Sequence, residues 1–237
     1  MKEFYDPKRG DLILNPFDAR SARWDLFAEI EQPYDVEQLA RSLIPDGAGN
    51  PSDREWRQYA RTFFTAVTRQ LHALNDPSMT AVVELYRLIA SAPGDELRAL
   101  LQGTPAAPFL EESNARMFGS IRSVTSTAVA SFEYLGAGTG SKFSTRQWAR
   151  QNRRRGGQKG SVLFMPYTAN QIAALRGIIS TWMRLAIFET MDGGEGDARV
   201  WFIVDELDAL GPIDGLKDAL ARLRKFGGRC EIGRAHV

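Results

Sequence analysis

Between residues 33 and 142 apolar side chains recur at spacings of three and four, the pattern of helices that each bury one face. Asp35 stands where it can cap a short helix carrying Val36, Leu39, Ala40 and Leu43, and the Gly/Pro-rich loop 45–51 ends it. A long helix is predicted next from Trp56, Tyr59, Ala60, Phe63, Phe64, Val67, Leu71 and Leu74. Asn75-Asp76-Pro77-Ser78 stops the chain and restarts it, with Ser78 capping a helix through Met79, Val82, Val83, Tyr86 and Ile89. Pro93-Gly94-Asp95 starts another around Leu97, Leu100 and Leu101. A last long helix, from about 113 to 135, puts Met117, Ile121, Val124, Ala128, Phe132 and Leu135 on one face. No strand pattern interrupts this stretch, which predicts an all-helical module.

The flanks read differently. Asp11-Leu12-Ile13-Leu14 is a short apolar run stopped at Asn15-Pro16, and Ser161-Val162-Leu163-Phe164-Met165 is another stopped at Pro166. Val200-Trp201-Phe202-Ile203-Val204 is a third, running into Asp205 and Glu206. Continuous apolar runs without alternation predict strands buried on both faces, as in the parallel sheet of an α/β domain. Helices are expected between them, one around Ile172, Leu175, Ile179, Trp182 and Leu185 and one around Leu216, Ala219, Leu220 and Leu223 that closes at Gly227-Gly228. Strand and helix alternate on both sides of the helical module, so the fold class is α/β with a parallel sheet and an inserted all-α domain. The division expected is 1–32 and 143–230 for two pieces of one core, 33–142 for the all-α domain, and 231–237 for a non-native tail. Ile-Gly-Arg-Ala-His-Val at the end resembles a translated adapter sequence, and a strand at the very start of the chain implies a further part of the sheet upstream.

Composition narrows the function classes. A formal net charge of +1 gives no global field for nucleic acid, so contact with DNA must come from a local patch. One cysteine excludes an internal disulfide framework, and two isolated histidines, His72 and His236, do not make a zinc site. His72, beside the long helix's apolar stripe, reads as a surface or boundary residue. No apolar run approaches a membrane helix.

The chemistry-bearing residues stand at the end of the third strand, because ligands of such sheets sit just beyond the strands' carboxyl ends. Asp205 and Glu206 have the layout of a Walker B element: Asp205 to hold Mg²⁺ through water, and Glu206 to polarise the water that attacks a γ-phosphate of ATP. Two solvated acids after a buried strand are the competing explanation. The companion loop G-x-x-x-x-G-K-[ST] is absent from the sequence. Gly140-Ser141-Lys142 comes nearest but opens no helix after a strand, so this chain alone is expected to bind nucleotide weakly or not at all. The basic run Arg150, Arg153, Arg154, Arg155 and Lys159 is either a phosphate-contacting loop or solvated charge. Arg222, Arg224 and Lys225 are either subunit-boundary residues of a ring or helix-end charges that complement the dipole.

Five segments, in order, resemble the type IV secretion coupling proteins of the conjugative TraD/TrwB kind. They are Gly10 to Ser21 (GDLILNPFDARS) with Trp24, Phe143 to Trp148 (FSTRQW), Leu175 to Trp182 (LRGIISTW), Val200 to Leu207 (VWFIVDEL) and Ala221 to Gly228 (ARLRKFGG). The resemblance covers residues 3–230. It implies a RecA-like P-loop NTPase core with an inserted all-α domain, in an inner-membrane, cytoplasm-facing ATPase that forms homo-hexamers. Such a protein recruits relaxase-bound DNA and drives it towards the secretion channel. On this resemblance the all-α domain meets DNA and the relaxosome, and Asp205 and Glu206 are the Walker B pair. Asp18, Arg20 and Trp24 belong to a family signature and are expected to be structural. The N-terminal membrane helices, the Walker A loop and the strand with Gln-Ser expected after Gly228 are missing, so the chain reads as a soluble internal fragment. The alternatives are a DNA- or relaxosome-binding module without ATPase activity, or another hexameric DNA pump of the FtsK or HerA kind, against which the large helical insert argues.

Overall fold

The computed structural model describes residues 3–46, 50–74, 76, 81–137, 140–154, 160–194, 199–205, 207–211, 213 and 215–233. In chain order its elements are β1 (Leu12–Ile13), β2 (Arg23–Trp24), α1 (Asp35–Leu43), α2 (Pro51–Leu74), α3 (Val82–Ala90), α4 (Gly94–Leu101), α5 (Ala115–Ala128), β3 (Lys142–Phe143), α6 (Thr145–Arg154), β4 (Leu163–Phe164), α7 (Ala169–Asp192), β5 (Val200–Val204), α8 (Leu216–Leu223) and β6 (Gly228–Ile232), joined by short 3-10 turns. The chain forms two compact units, Met1–Asp25 with Ala137–Val237, and Leu26–Gly136.

The first unit is α/β, and every strand pairing in it is parallel. Leu12 and Ile13 pair with Leu163 and Phe164, Arg23 and Trp24 with Lys142 and Phe143, and β5 pairs along its length with β6. A single bridge between Ile13 and Ser21 lies between the first two pairs. β2 and β3 had no apolar run to announce them. Two-residue strands are too short to show a period, and their pairing depends on residues far apart in sequence.

Long helix α7 is the centre of this unit. Thr168 and Gln171 form a reciprocal capping box at its start, satisfying two otherwise orphaned N–H groups. From Ile178 onwards nearly every residue of α7 is buried. Trp182 is fully buried and meets Trp24 edge to face, with ring centroids 5.9 Å apart. That contact gives Trp24 of the N-terminal signature a packing role. Asp18 and Arg20 of the same signature lock a turn: the Asp18 carboxylate accepts the Arg20 N–H and its guanidinium, which holds the acid down at about 2.

Two strands differ from expectation. β4 is half-buried where full burial was expected. In β5, Val200 is buried and Phe202 and Val204 are half-buried, whereas Trp201 is 54% and Ile203 75% exposed. The face carrying residues 200, 202 and 204 is the one turned to the body of the unit; α6 packs on β5, and α7 and α8 pack on β6. No described element covers the other face, so an apolar run that read as two-sided is covered on one side. β6 continues through Glu231 and Ile232, which pair with Ile203 and Val204. A strand therefore follows Gly228, without the expected Gln-Ser, and it extends into the segment expected to be a non-native tail, since main-chain pairing places little demand on side-chain identity.

At the start of β1, Asp11 is buried and accepts hydrogen bonds from the Arg9 guanidinium (2.8 Å) and the N–H groups of Asp6 and Val162 (both 2.9 Å). The Arg9 hydrogen bond, ahead of the two main-chain donors, lowers Asp11 from 3.8 to about 2. A carboxylate depressed on folding adds stability that is fully present above its unfolded value and lost as pH falls towards its folded one. Asp11→Asn is therefore expected to cost ~2 kcal/mol near neutral pH. Urea titrations of the two proteins at a series of pH values should converge as pH drops from about 4 to about 2.

The second unit is helical, with no strand among its described residues. Ala60, Phe63, Phe64, Val67 and Leu71 of α2 form its spine, and Phe63 meets Phe118 of α5 edge to face. Leu74, expected on that stripe, is exposed at the helix end. Asp35 is the first residue of α1 and not its cap; its carboxylate accepts the N–H groups of Glu31 and Gln32 in the preceding turn. The last helix is shorter than its pattern, because α5 gives way after Ala128 to a tighter turn that shifts the buried stripe to Ile121, Thr125, Val129 and Phe132. Thr125 is tolerated there because its hydroxyl donates to the Ile121 carbonyl. His72 is exposed and stacks flat on Phe27. Ser78 lies outside the described residues.

Candidate nucleotide and metal site

β5 delivers Asp205 to a bend immediately beyond its carboxyl end. The side chain is exposed, and its carboxylate makes no hydrogen bond or ion pair with any described residue. The neighbouring strand ends beside it: the Gly233 N–H donates to the Val204 carbonyl (2.8 Å). A β-carbon at Gly233 would stand 2.4 Å from Asp205 Oδ1, so the acid lies flat against that backbone. Beyond Asp205 a 3-10 turn, Leu207–Leu210, packs Leu210 towards α7, and Gly211 and Gly215 take left-handed conformations before α8. Glu206, the expected water-polarising residue, lies outside the described residues.

Among the described residues no three His, Cys, Asp or Glu side chains gather as a metal cage. One exposed carboxylate at a strand end is nevertheless the kind of donor magnesium uses, because it keeps several waters and takes its remaining ligands from substrate phosphates. Asp205 fits that role.

The basic residues are placed as follows. Arg153, near the end of α6, donates to the Gly194 carbonyl just past α7, a contact that serves the helix's carboxyl end. Arg154 closes α6, and Arg155 and Lys159 lie outside the described residues. Arg150 faces inward to Glu189 (2.7 Å). Arg222 is exposed and donates weakly to the Asp218 carbonyl one turn back (3.4 Å). Arg224 and Lys225 are exposed in the turn that follows α8. Lys142, the nearest approach to a phosphate-loop lysine, belongs to β3 and ion-pairs with Asp25 (3.0 Å), which leaves it tied to a strand. These groups do not converge on Asp205 in any contact among the described residues. A second basic cluster, Arg41, Arg61 and Arg69, lies in the helical unit; its only sequence signal is the helical spacing of Arg61 and Arg69 on the polar side of α2.

Residues 1–236 match the family model described as the type IV secretion-system coupling protein DNA-binding domain. The chain belongs to the type IV secretion-system coupling protein family. It is 36% identical over 231 residues to the coupling protein TraD of Escherichia coli (strain K12), a match covering 96% of this chain and 31% of TraD. Among solved structures it is similar to the plasmid coupling protein TrwB in complex with the non-hydrolysable ATP analogue ADPNP, with a TM-score of 0.79 and 29% identity over 97% of this chain and 53% of that one. TrwB in complex with ADP and Mg²⁺ aligns with a TM-score of 0.78 and 30% identity, over 94% of this chain and 52% of that one. The chain thus spans about a third of TraD and about half of the TrwB structures. The α/β unit with its helical companion has the RecA-like coupling-protein fold that the ordered motifs implied.

Proposed function

We propose that this chain is part of a conjugative coupling protein, an ATP-driven DNA translocase that links the relaxosome to a type IV secretion channel. The observation that carries the reading is the unengaged Asp205 carboxylate at the end of the paired strand β5, in a family whose relative TrwB is seen with ADP and Mg²⁺. Bound Mg²⁺–ATP supplies the phosphoryl group and the charge neutralisation for its transfer. Asp205 would hold the metal through water, and Glu206 would orient and deprotonate the attacking water. In the intact protein we place this core on the cytoplasmic face of the inner membrane, in a homo-hexamer that handles DNA with little sequence preference. No helix among the described residues is long and apolar enough to cross a membrane.

The test uses a chimera in which this chain replaces the matching segment of the E. coli TraD. DNA-stimulated ATP hydrolysis is expected, falling at least about 100-fold in Asp205→Asn and in Glu206→Gln. Hydrolysis that survives both changes would overturn the assignment. The chain alone, lacking a G-x-x-x-x-G-K-[ST] loop, is expected to hydrolyse no ATP. A second reading, a DNA- or relaxosome-binding module with no ATPase role, is favoured by the family description as a DNA-binding domain. It predicts a chimera that binds DNA and never turns over ATP. Under either reading, Arg153, Arg154, Arg155, Arg222, Arg224 and Lys225 are the DNA or subunit contacts to replace first.

A further inference from the structure

The helical unit contains a pocket of about 390 Å³ between α1, α2 and the turn after α4, a size typical of sites for small ligands or short peptide segments. Three arginines line it: Arg41, Arg61 and Arg69. Arg61 is buried and fixed, its Nε donating to the Ile44 carbonyl (2.8 Å) and its other end paired with Asp46. The Arg61 hydrogen bond pushes Asp46 below the ordinary carboxylate range, so that acid stays ionised. Arg69 donates to the Pro33 carbonyl (3.0 Å) and pairs with Glu37, which also lines the pocket. Arg41 is exposed and makes no hydrogen bond or ion pair with the described residues. Of the lining residues, three guanidinium groups face one carboxylate, Glu37; with Asp46, which pairs with Arg61 from outside the lining, the set keeps a surplus of one positive charge. Thr65 and Gln70, half-buried on the same wall, make no side-chain hydrogen bond with the described residues, so both a donor-and-acceptor hydroxyl and an amide stand unclaimed.

We infer that this pocket binds a carboxylate-bearing segment of a partner polypeptide, with Arg41 as the anion anchor and Thr65 and Gln70 meeting peptide N–H and C=O groups. The lining distinguishes this ligand from a nucleic acid. No aromatic residue lines the pocket, so bases find no stacking platform of the kind that single-strand sites use. A phosphodiester chain repeats its charge at every unit, whereas Glu37 on the wall repels added anions once the single surplus charge is matched. A peptide offers one carboxylate together with donors and acceptors in turn. The pocket lies wholly within the helical unit, so the inference stands apart from the nucleotide assignment of Asp205.

The whole chain would be titrated, by fluorescence anisotropy, into three labelled probes. One is a short Gly/Ser peptide with an internal Glu and an amidated end, the second a Gly/Ser peptide with a free C-terminal carboxylate, and the third a single-stranded thymidine oligonucleotide. Saturable binding of either peptide, weakened at least about tenfold by Arg41→Glu and about threefold by Gln70→Ala, is the expected result. The peptide that binds shows whether the carboxylate is a side chain or a chain end. Arg41 is exposed, so the substitution leaves the fold intact by circular dichroism, and Arg116→Glu on α5 serves as the control charge reversal. Absence of binding by both peptides, equal binding by the Arg41→Glu protein, or an Arg41 dependence confined to the oligonucleotide would each overturn the inference.

Discussion

Trp182→Ala is expected to destabilise the α/β unit by ~3–5 kcal/mol, the range for removing a large buried aromatic. The side chain has no exposed surface and is pressed edge to face on Trp24, so its loss removes apolar burial, opens a cavity and strips Trp24 of its neighbour. Collapse of the site is resisted because α7 is buried along most of its length and is held at its start by the capping box. Trp182→Phe should cost far less, about 1–2 kcal/mol, for a specific reason. The indole N–H is buried with no acceptor among the described residues, and phenylalanine keeps much of the ring while removing that orphan donor. Urea midpoints for the two variants give the comparison. Ile203→Ser, on the exposed face of β5, is the internal control and is expected to move stability by less than about 0.5 kcal/mol. Equal losses for Trp182→Ala and Ile203→Ser would mean that the two faces of this unit are not as unlike as the structure shows.

The parts of this fold legible in sequence are those with a repeated local signal. The spine of α2, the α7 stripe of Ile172, Leu175, Ile179, Trp182 and Leu185, and the β5 run ending in Asp205 can all be read from spacing alone. What could not be read depends on partners distant in the chain. Arg23-Trp24 and Lys142-Phe143 become strands only because they lie side by side, and neither dipeptide carries a period. The N-terminal signature was visible as a pattern, but the division of labour inside it was not: Asp18 and Arg20 pair within one turn, while Trp24 reaches across to Trp182. The apolar run of β5 reported what residues its two faces carry, not what each face touches, so the exposure of Trp201 and Ile203 was out of its reach. At the candidate site, Asp205 could be placed because a strand end is a one-dimensional address. The pocket arginines could not, since Arg41 and Arg69 come together only when α1 packs on α2.

Charged residues were the poorest guide, and one cluster of them carries the second large effect. Glu189→Ala is expected to cost ~3–5 kcal/mol, because it strands buried positive charge. Glu189 on α7 is buried and faces α6, where Arg150 Nε donates to its Oε1 (2.7 Å) and Arg146 lies 3.7 Å from its Oε2. Both Arg146 and Glu189 have nearly fully buried side chains, and sequence spacing gives no hint that residues on separate helices should meet. Removing the acid takes away the carboxylate that Arg146 and Arg150 share in a low-dielectric setting, so the desolvation of the buried Arg146 is less well repaid. Glu189→Gln tests the charge separately from the shape: it keeps an acceptor for Arg150 and should lose somewhat less. The sharper comparison is Arg146→Met combined with Glu189→Leu, which removes acid and buried base together. Because a buried pair often does little better than well-packed apolar residues of similar volume, the double variant should recover most of the loss. A double variant as unstable as Glu189→Ala would show instead that α6 is held on α7 by the remaining contacts of these groups. Thermal melts of the three proteins at a single pH and salt concentration distinguish the outcomes, and the magnitude should change little with salt, since the pair is shielded from solvent ions.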